Sequence, residues 1–230
     1  MVINQFQSIG DILFLQPMFR HFRDRDGIKP IVPVRDHLMW LEKYIEDARF
    51  VPMSKFTLDY ESRETSNPEY LPLRFANQIV RGLASDDHSD FENAMNDKYV
   101  LAGLNPEMWK TISLQFLPER CTALFEALEL SPLERFILVN ENSQAGHVQI
   151  DPLSLIRIVK MTEIPGFHVL DWCMVMKLAE QNHHVSTCTF YMLQALGALN
   201  GKVFLYPRPN EDGLRGISKL NPSFQYTAMK

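Results

Sequence analysis

Four short polar segments interrupt apolar runs in this chain, each where a strand-like stretch gives way to a turn or a helix. The first is Ser8-Ile9-Gly10-Asp11. A glycine at such a corner lets a ligand or a neighbouring backbone come close. Asp11 then has two readings, a cap on the helix that follows or a general base for a hydroxyl group. The second segment, Asn140-Glu141-Asn142-Ser143 with Gly146-His147, sets polar side chains directly after an apolar run. They suit a capping turn or a ligand site, and His147 suits a phosphate or plain water. The third is His183-His184-Val185-Ser186-Thr187-Cys188-Thr189. Free N–H groups and the dipole at a helix start favour an anion, and Ser186, Thr187 and Thr189 can add hydroxyl donors. The same residue types are also ordinary caps. The fourth, Tyr206-Pro207-Arg208-Pro209, offers Arg208 as a diphosphate clamp or as a surface residue.

Those corners need regular elements to hold them. Residues 1–9 have strand character through Val2, Ile3 and Phe6, and Ile12, Leu15, Phe19 and Phe22 then recur at helical spacing. A strand is expected over 29–34, a helix over 35–45 and a third strand over 48–53. Residues 55–72 are polar and aperiodic, which predicts a loop, and 85–90 reads as a solvated acidic stretch. Helices over 91–104 and 106–130 are expected to link two halves. The alternation restarts with strands over 135–140 and 155–161, a helix over 169–180, a strand over 184–186, a helix over 189–199 and a strand over 202–206. The tail beyond Pro207 is expected to be irregular or to wrap back. Strands alternating with helices predict an α/β protein with parallel sheets, whose ligands lie beyond the carboxyl ends of the strands. The expected domains are 1–130 and 131–230, two small Rossmann-like halves facing each other across a cleft.

Composition removes several classes. With 23 Lys+Arg against 28 Asp+Glu the net charge is −5, which argues against general nucleic-acid binding. Cys121, Cys173 and Cys188 are an odd number without CxxC spacing and read as small buried hydrophobes in a reducing compartment. The start of the chain lacks the pattern of a signal peptide, and no run is apolar enough to span a bilayer. A cytoplasmic location follows as the expectation. There is no GxGxxG, GxxxxGK[ST] or GxSxG, and no zinc or EF-hand spacing, so no metal and no cofactor is expected.

The opening SIGDILFLQPMFRHFRDRDGIKPIVPV resembles the heptosyltransferase-like group of GT-B glycosyltransferases, through Gly10, Asp11, Ile12, Leu13 and Pro17. The segment HHVSTCTFYMLQALGAL followed by KVFLYPR is similar, more loosely, to the nucleotide-sugar domain of the same fold. The family's Asp and Gly-Pro-Met-His signature at that turn is missing, and the chain is short for the group. The resemblance implies that Asp11 is the catalytic base and that a donor diphosphate lies near Gly10, Ser186, Thr187, Thr189 and Arg208. Asn140, Glu141, Ser143 and His147 would border it. No DxD-type metal motif is evident, so metal-independent inverting transfer is the expected chemistry, from a nucleotide sugar to a glycan, lipid or protein hydroxyl. A non-catalytic nucleotide- or glycan-binding module is the alternative. A nucleotide-sugar isomerase using Glu141 and His147 is a third reading.

Overall fold

A two-residue strand, β1 (Val2–Ile3), lies inside the first sheet with Ile3 fully buried. The computed structural model describes residues 1–5, 8–55, 62–83, 91–197, 199–209, 214 and 220–229. Phe6, Gly213, Gly216 and the acidic run 85–90 therefore lie outside the described residues. The expected strand over 1–9 ends early, because Ile9 already belongs to helix α1 (Ile9–Phe14), capped by Ser8. Helix α2 (Gln16–Asp26) follows at once, with Pro17 in its first turn where a missing N–H costs nothing. Gly27 at φ +67° closes it in the left-handed conformation that glycine adopts freely.

Strands β2 (Ile31–Val34) and β3 (Arg49–Pro52) match expectation, and the sheet order is β3-β2-β1-β4, all parallel. Its last member, β4 (Tyr70–Leu71), falls inside the stretch expected to be loop. Two residues are too few to show a period, and the strand is held by pairing with β1 and by Asn4 Nδ2 donating to the Tyr70 hydroxyl at 2.7 Å. The helix expected over 35–45 is a 3-10 segment, Asp36–Lys43. Leu38 and Leu41 are buried three residues apart, and a 3-10 turn eclipses that spacing on one face.

Helix α3 (Ala76–Arg81) and helix α4 (Phe91–Leu101) complete the first unit, with a short 3-10 turn at Pro106–Thr111. The single helix expected over 106–130 is thus two elements, and α5 (Pro118–Ala127) starts afresh. Pro118 drives the residue before it out of the helical region, and Leu117 is indeed extended at φ −90°, ψ 108°. The chain divides into compact units Met1–Ser113 and Leu114–Lys230, so α5 belongs to the second unit and does not link the two. Arg120 of α5 explains why: it grips the fully buried Asp171 through Nε and Nη2 at 3.1 and 2.8 Å.

The second unit is built on β5 (Phe136–Asn140), every residue of which is buried, as its unbroken apolar pattern predicts. A small antiparallel hairpin of β6 (Asn142–Ser143) and β7 (Gly146–His147) follows. Next come β8 (Arg157–Lys160), a 3-10 turn at Val169–Trp172, α6 (Cys173–Leu178), β9 (Gln181–Val185), α7 (Cys188–Leu196) and β10 (Lys202–Tyr206). The tail wraps back as β11 (Thr227–Ala228), giving a five-stranded parallel sheet in the order β11-β10-β9-β5-β8.

Alternation along the strands assigns the two faces of this sheet. Phe136 meets Phe125 of α5, Asn182 Nδ2 donates to the Met176 carbonyl of α6 at 3.0 Å, and His184 meets Thr189 of α7. All three helices therefore cover one face. On the other, Ile137, Val139 and Val185 are sealed by Ile150, with Val148, Ile156 and Tyr206 packed around them. Among the described residues no helix joins β5 to β8, so that face is lined by loop.

Candidate functional site

The corner after β1 is built by α1. Ser8 is its cap, extended at φ −143°, and accepts the Asp11 backbone N–H at 3.2 Å. Asp11 therefore stands three positions into the helix and is not the cap. Its carboxylate is held on both sides: the Ser8 hydroxyl donates to Oδ2 at 2.7 Å, and Lys98 Nζ donates to Oδ1 at 2.9 Å. The Asp11 side chain keeps 22% of its exposure against 10% for Lys98, so the carboxylate is the more accessible partner. Gly10 lies in the first turn beside it, partly exposed.

Lys98 reaches that place because α4 is locked onto α1. The buried Tyr99 hydroxyl donates to the Phe14 carbonyl at 2.7 Å, and Phe14 packs edge-on against Phe91 and Trp109 at 4.9 and 5.7 Å. Trp109 Nε1 donates in turn to Asn96 at 2.8 Å. Burial pushes the Tyr99 hydroxyl far above its ordinary pKa, so it stays a neutral donor. Lys98 is a site residue that sequence reasoning missed, since a lysine inside a helical period has no local sign that it faces inward.

In the second unit the three polar segments come together at the carboxyl ends of β5, β9 and β10. Arg208 Nε donates to the Ser186 carbonyl at 2.6 Å, tying the end of β10 to the turn that starts α7. A Cβ on Gly146 would touch the Pro209 ring at 3.4 Å, which places the β6–β7 hairpin beside that same strand end. Ser143 is satisfied by the Gly146 carbonyl at 3.0 Å, and the exposed His147 pairs with Asn142 at 3.2 Å.

Several residues expected to face a ligand are turned inward. Glu141 is buried, with Ile150 N–H at 3.0 Å and Lys160 Nζ at 3.1 Å on one oxygen and Lys160 again at 3.0 Å on the other. Burial would raise its pKa, but the Ile150 N–H and the Lys160 ammonium outweigh it and hold the carboxylate below its ordinary range. These contacts make Glu141 a structural carboxylate. Asn140 and Thr189 are also buried: Asn140 Nδ2 donates to the Thr189 hydroxyl at 3.0 Å and, more weakly, to Thr187 at 3.4 Å. Thr187 is the helix cap residue and is half-exposed, and its side chain makes no capping bond. Burial pushes the Cys188 thiol up to about 11, against the pull of the Cys188 and Thr189 backbone N–H groups and of Arg208.

The tandem histidines occupy opposite faces of the sheet. His183 stacks on Phe204 with centroids 4.4 Å apart and bonds Tyr206 and Gln181 at 2.9 and 3.0 Å. His184 lies under α7, fully buried, with Nδ1 2.9 Å from the Thr189 hydroxyl. Burial pushes both imidazoles down, His183 to about 4 and His184 to about 3. Among the described residues no group of three or more His, Cys, Asp or Glu is assembled to hold a metal ion. Asp24-Arg25-Asp26 does have DxD spacing, away from the corners, at the end of α2. Each aspartate there is paired with its arginine neighbour, Asp24 with Arg23 at 2.7 Å and Asp26 with Arg25 at 2.6 Å. No helix among the described residues is long and apolar enough to cross a membrane.

No protein-family model and no curated protein matches the sequence. Solved structures do match in fold. A glycosyl transferase family 9 protein from Veillonella parvula DSM 2008 superposes with a TM-score of 0.50 at 10% identity, over 99% of this chain and 85% of that one. The dodecameric iron-containing glycosyltransferase TibC from enterotoxigenic E. coli H10407 gives 0.50 at 11% identity, over 94% of this chain. TibC in complex with ADP-D-beta-D-heptose gives 0.51 at the same identity. The chain spans 63% of the length of TibC. At these identities the likeness is one of fold: the α/β architecture with parallel sheets is that of the heptosyltransferase-like glycosyltransferases.

Proposed function

We propose that this protein is a glycosyltransferase that moves a sugar from a nucleoside diphosphate donor to an acceptor hydroxyl. The observation that carries the reading is Asp11, a partly exposed carboxylate at the carboxyl end of β1 in a fold shared with glycosyltransferases. Lys98 and Ser8 fix its orientation from two sides, as a general base requires before it can meet a hydroxyl.

The chemistry is a displacement at the anomeric carbon with inversion. The acceptor O–H gives its proton to the Asp11 carboxylate while its oxygen bonds to that carbon. The bond to the diphosphate oxygen breaks, and the electron pair leaves with the nucleoside diphosphate. Within the second unit, the Arg208 guanidinium, the Thr187 hydroxyl and the first N–H groups of α7 are the groups suited to a nucleoside diphosphate. TibC is solved with ADP-D-beta-D-heptose, which makes ADP-linked heptoses the first donors to try.

The test is a panel of nucleotide sugars scored for nucleoside diphosphate release, with and without glycan acceptors. Asp11→Asn is expected to lower transfer by about a thousandfold and to leave donor affinity unchanged. Turnover unchanged in Asp11→Asn would remove the base. Donor binding without turnover in the wild-type protein would make it a binding module.

A further inference from the structure

The side chain behind the α7 tip decides which way its hydroxyls point. The Thr189 hydroxyl has three polar neighbours, Asn140 Nδ2 at 3.0 Å, Thr187 Oγ1 at 2.9 Å and His184 Nδ1 at 2.9 Å. Asn140 is a donor here, because its own oxygen accepts the Asn142 N–H at 3.3 Å. One lone pair and one proton of Thr189 remain for His184 and Thr187. Two arrangements satisfy that count. Either His184 Nδ1–H donates to Thr189, which donates to Thr187, or every arrow runs the other way.

The far side of the imidazole separates them. His184 Nε2 is buried and has no hydrogen-bond partner. If the ring carried its proton on Nε2, a buried N–H would face no acceptor, the rarer and costlier defect in native proteins. With the proton on Nδ1, the orphan is only a lone pair. Depression of the His184 pKa to about 3 keeps the ring neutral, so a single proton must choose between the two nitrogens.

We infer that His184 is a positioning residue whose Nδ1–H starts a one-way chain, His184 to Thr189 to Thr187. The chain leaves the Thr187 proton pointing out of the helix tip as an obligate donor to a ligand oxygen. Thr187 then accepts from Thr189 and, at 3.4 Å, from Asn140, so its inward capacity is filled. The tip selects ligands rich in acceptors, such as a diphosphate, and disfavours ligands that present N–H groups. This rests on reading the α7 tip as the diphosphate site, and it adds the residues that set its polarity.

The experiment has two independent arms on the full chain. Long-range nitrogen–proton correlation of the histidine rings, with His184 assigned by its loss in His184→Asn, is expected to show Nδ1 protonated and Nε2 bare. A ring protonated on Nε2 overturns the proposal. In the second arm, inorganic pyrophosphate and a panel of nucleoside diphosphates are titrated by calorimetry. Thr187→Ser is expected to bind within about threefold of wild type and Thr187→Val at least about tenfold more weakly. His184→Asn puts an amide N–H where Nδ1–H stood and is expected to keep affinity, whereas His184→Leu is expected to lose about tenfold. Equal affinity in the Asn and Leu variants, with both folded, would also overturn it. If wild type binds none of these ligands, the donor reading fails, and the ring tautomer alone decides the chain of hydroxyls.

Discussion

The helix tips of α1 and α7 each hold a polar group beyond the end of a parallel strand, and they do so with opposite chemistry. At α1 the group is a carboxylate gripped by an ammonium and a hydroxyl, with part of its surface open. At α7 the supports are neutral: an amide, two hydroxyls and an imidazole, most of them buried. A charged pair is weakened by salt, whereas a buried neutral network ignores salt and fails when one member must take a proton. On the proposed function, one tip would receive a proton and the other would give a hydrogen bond.

Acid is the strongest way to break the comparison. His183 and His184 bind protons poorly in the fold and ordinarily when unfolded, so their contribution is complete above about pH 6.5 and is lost as the pH falls below it. From about pH 6.5 to pH 5 the loss is on the order of 3 kcal/mol for the two together, read by urea unfolding at each pH. Its disappearance should be partial in His184→Asn, and a flat profile in wild type would mean the rings are not buried neutral. Lys98→Met comes next, at about 2 kcal/mol, because it takes the ammonium away from a carboxylate that is mostly enclosed. Adding about 1 M salt is expected to shrink that difference and to leave the α7 corner unaffected. Ser8→Ala removes the α1 cap for about 1 kcal/mol, visible as a lower Tm. Arg208→Ala is expected to cost about 1 kcal/mol of stability through the lost bond to the Ser186 carbonyl, and to weaken pyrophosphate binding about tenfold.

The parts legible in the sequence were those with long apolar runs or a strong punctuation residue. β5 and β10 stand where their patterns place them, whereas the turn expected at Gly10 and Asp11 is already the first turn of α1. β4 was not legible, because a two-residue strand is defined by its neighbour and not by its own residues. The break before Pro118 was written in the sequence, yet the apolar spacing across 106–130 masked it. At the site, Ser186, Thr187 and Arg208 do converge, but the inward turn of Glu141, Asn140 and Thr189 depends on partners far along the chain. Lys98 is the sharpest case: its partner lies 87 positions away, and only the docking of α4 through Tyr99 brings the two together.

The loop that lines the helix-free face of the second sheet hangs on Glu141. The Glu141 backbone carbonyl accepts the Val148 N–H at 2.9 Å, and its carboxylate accepts the Ile150 N–H at 3.0 Å. Val148, Ile150 and Ile156 pack on that face, while Leu153 and Leu155 are wholly solvent-exposed. This makes the segment an apolar trapdoor with Glu141 as its polar latch. Releasing it, by Glu141→Ala or by strong acid, is expected to wet Ile137 and Val139 and speed amide exchange around Ile150 while the helical side stays shut.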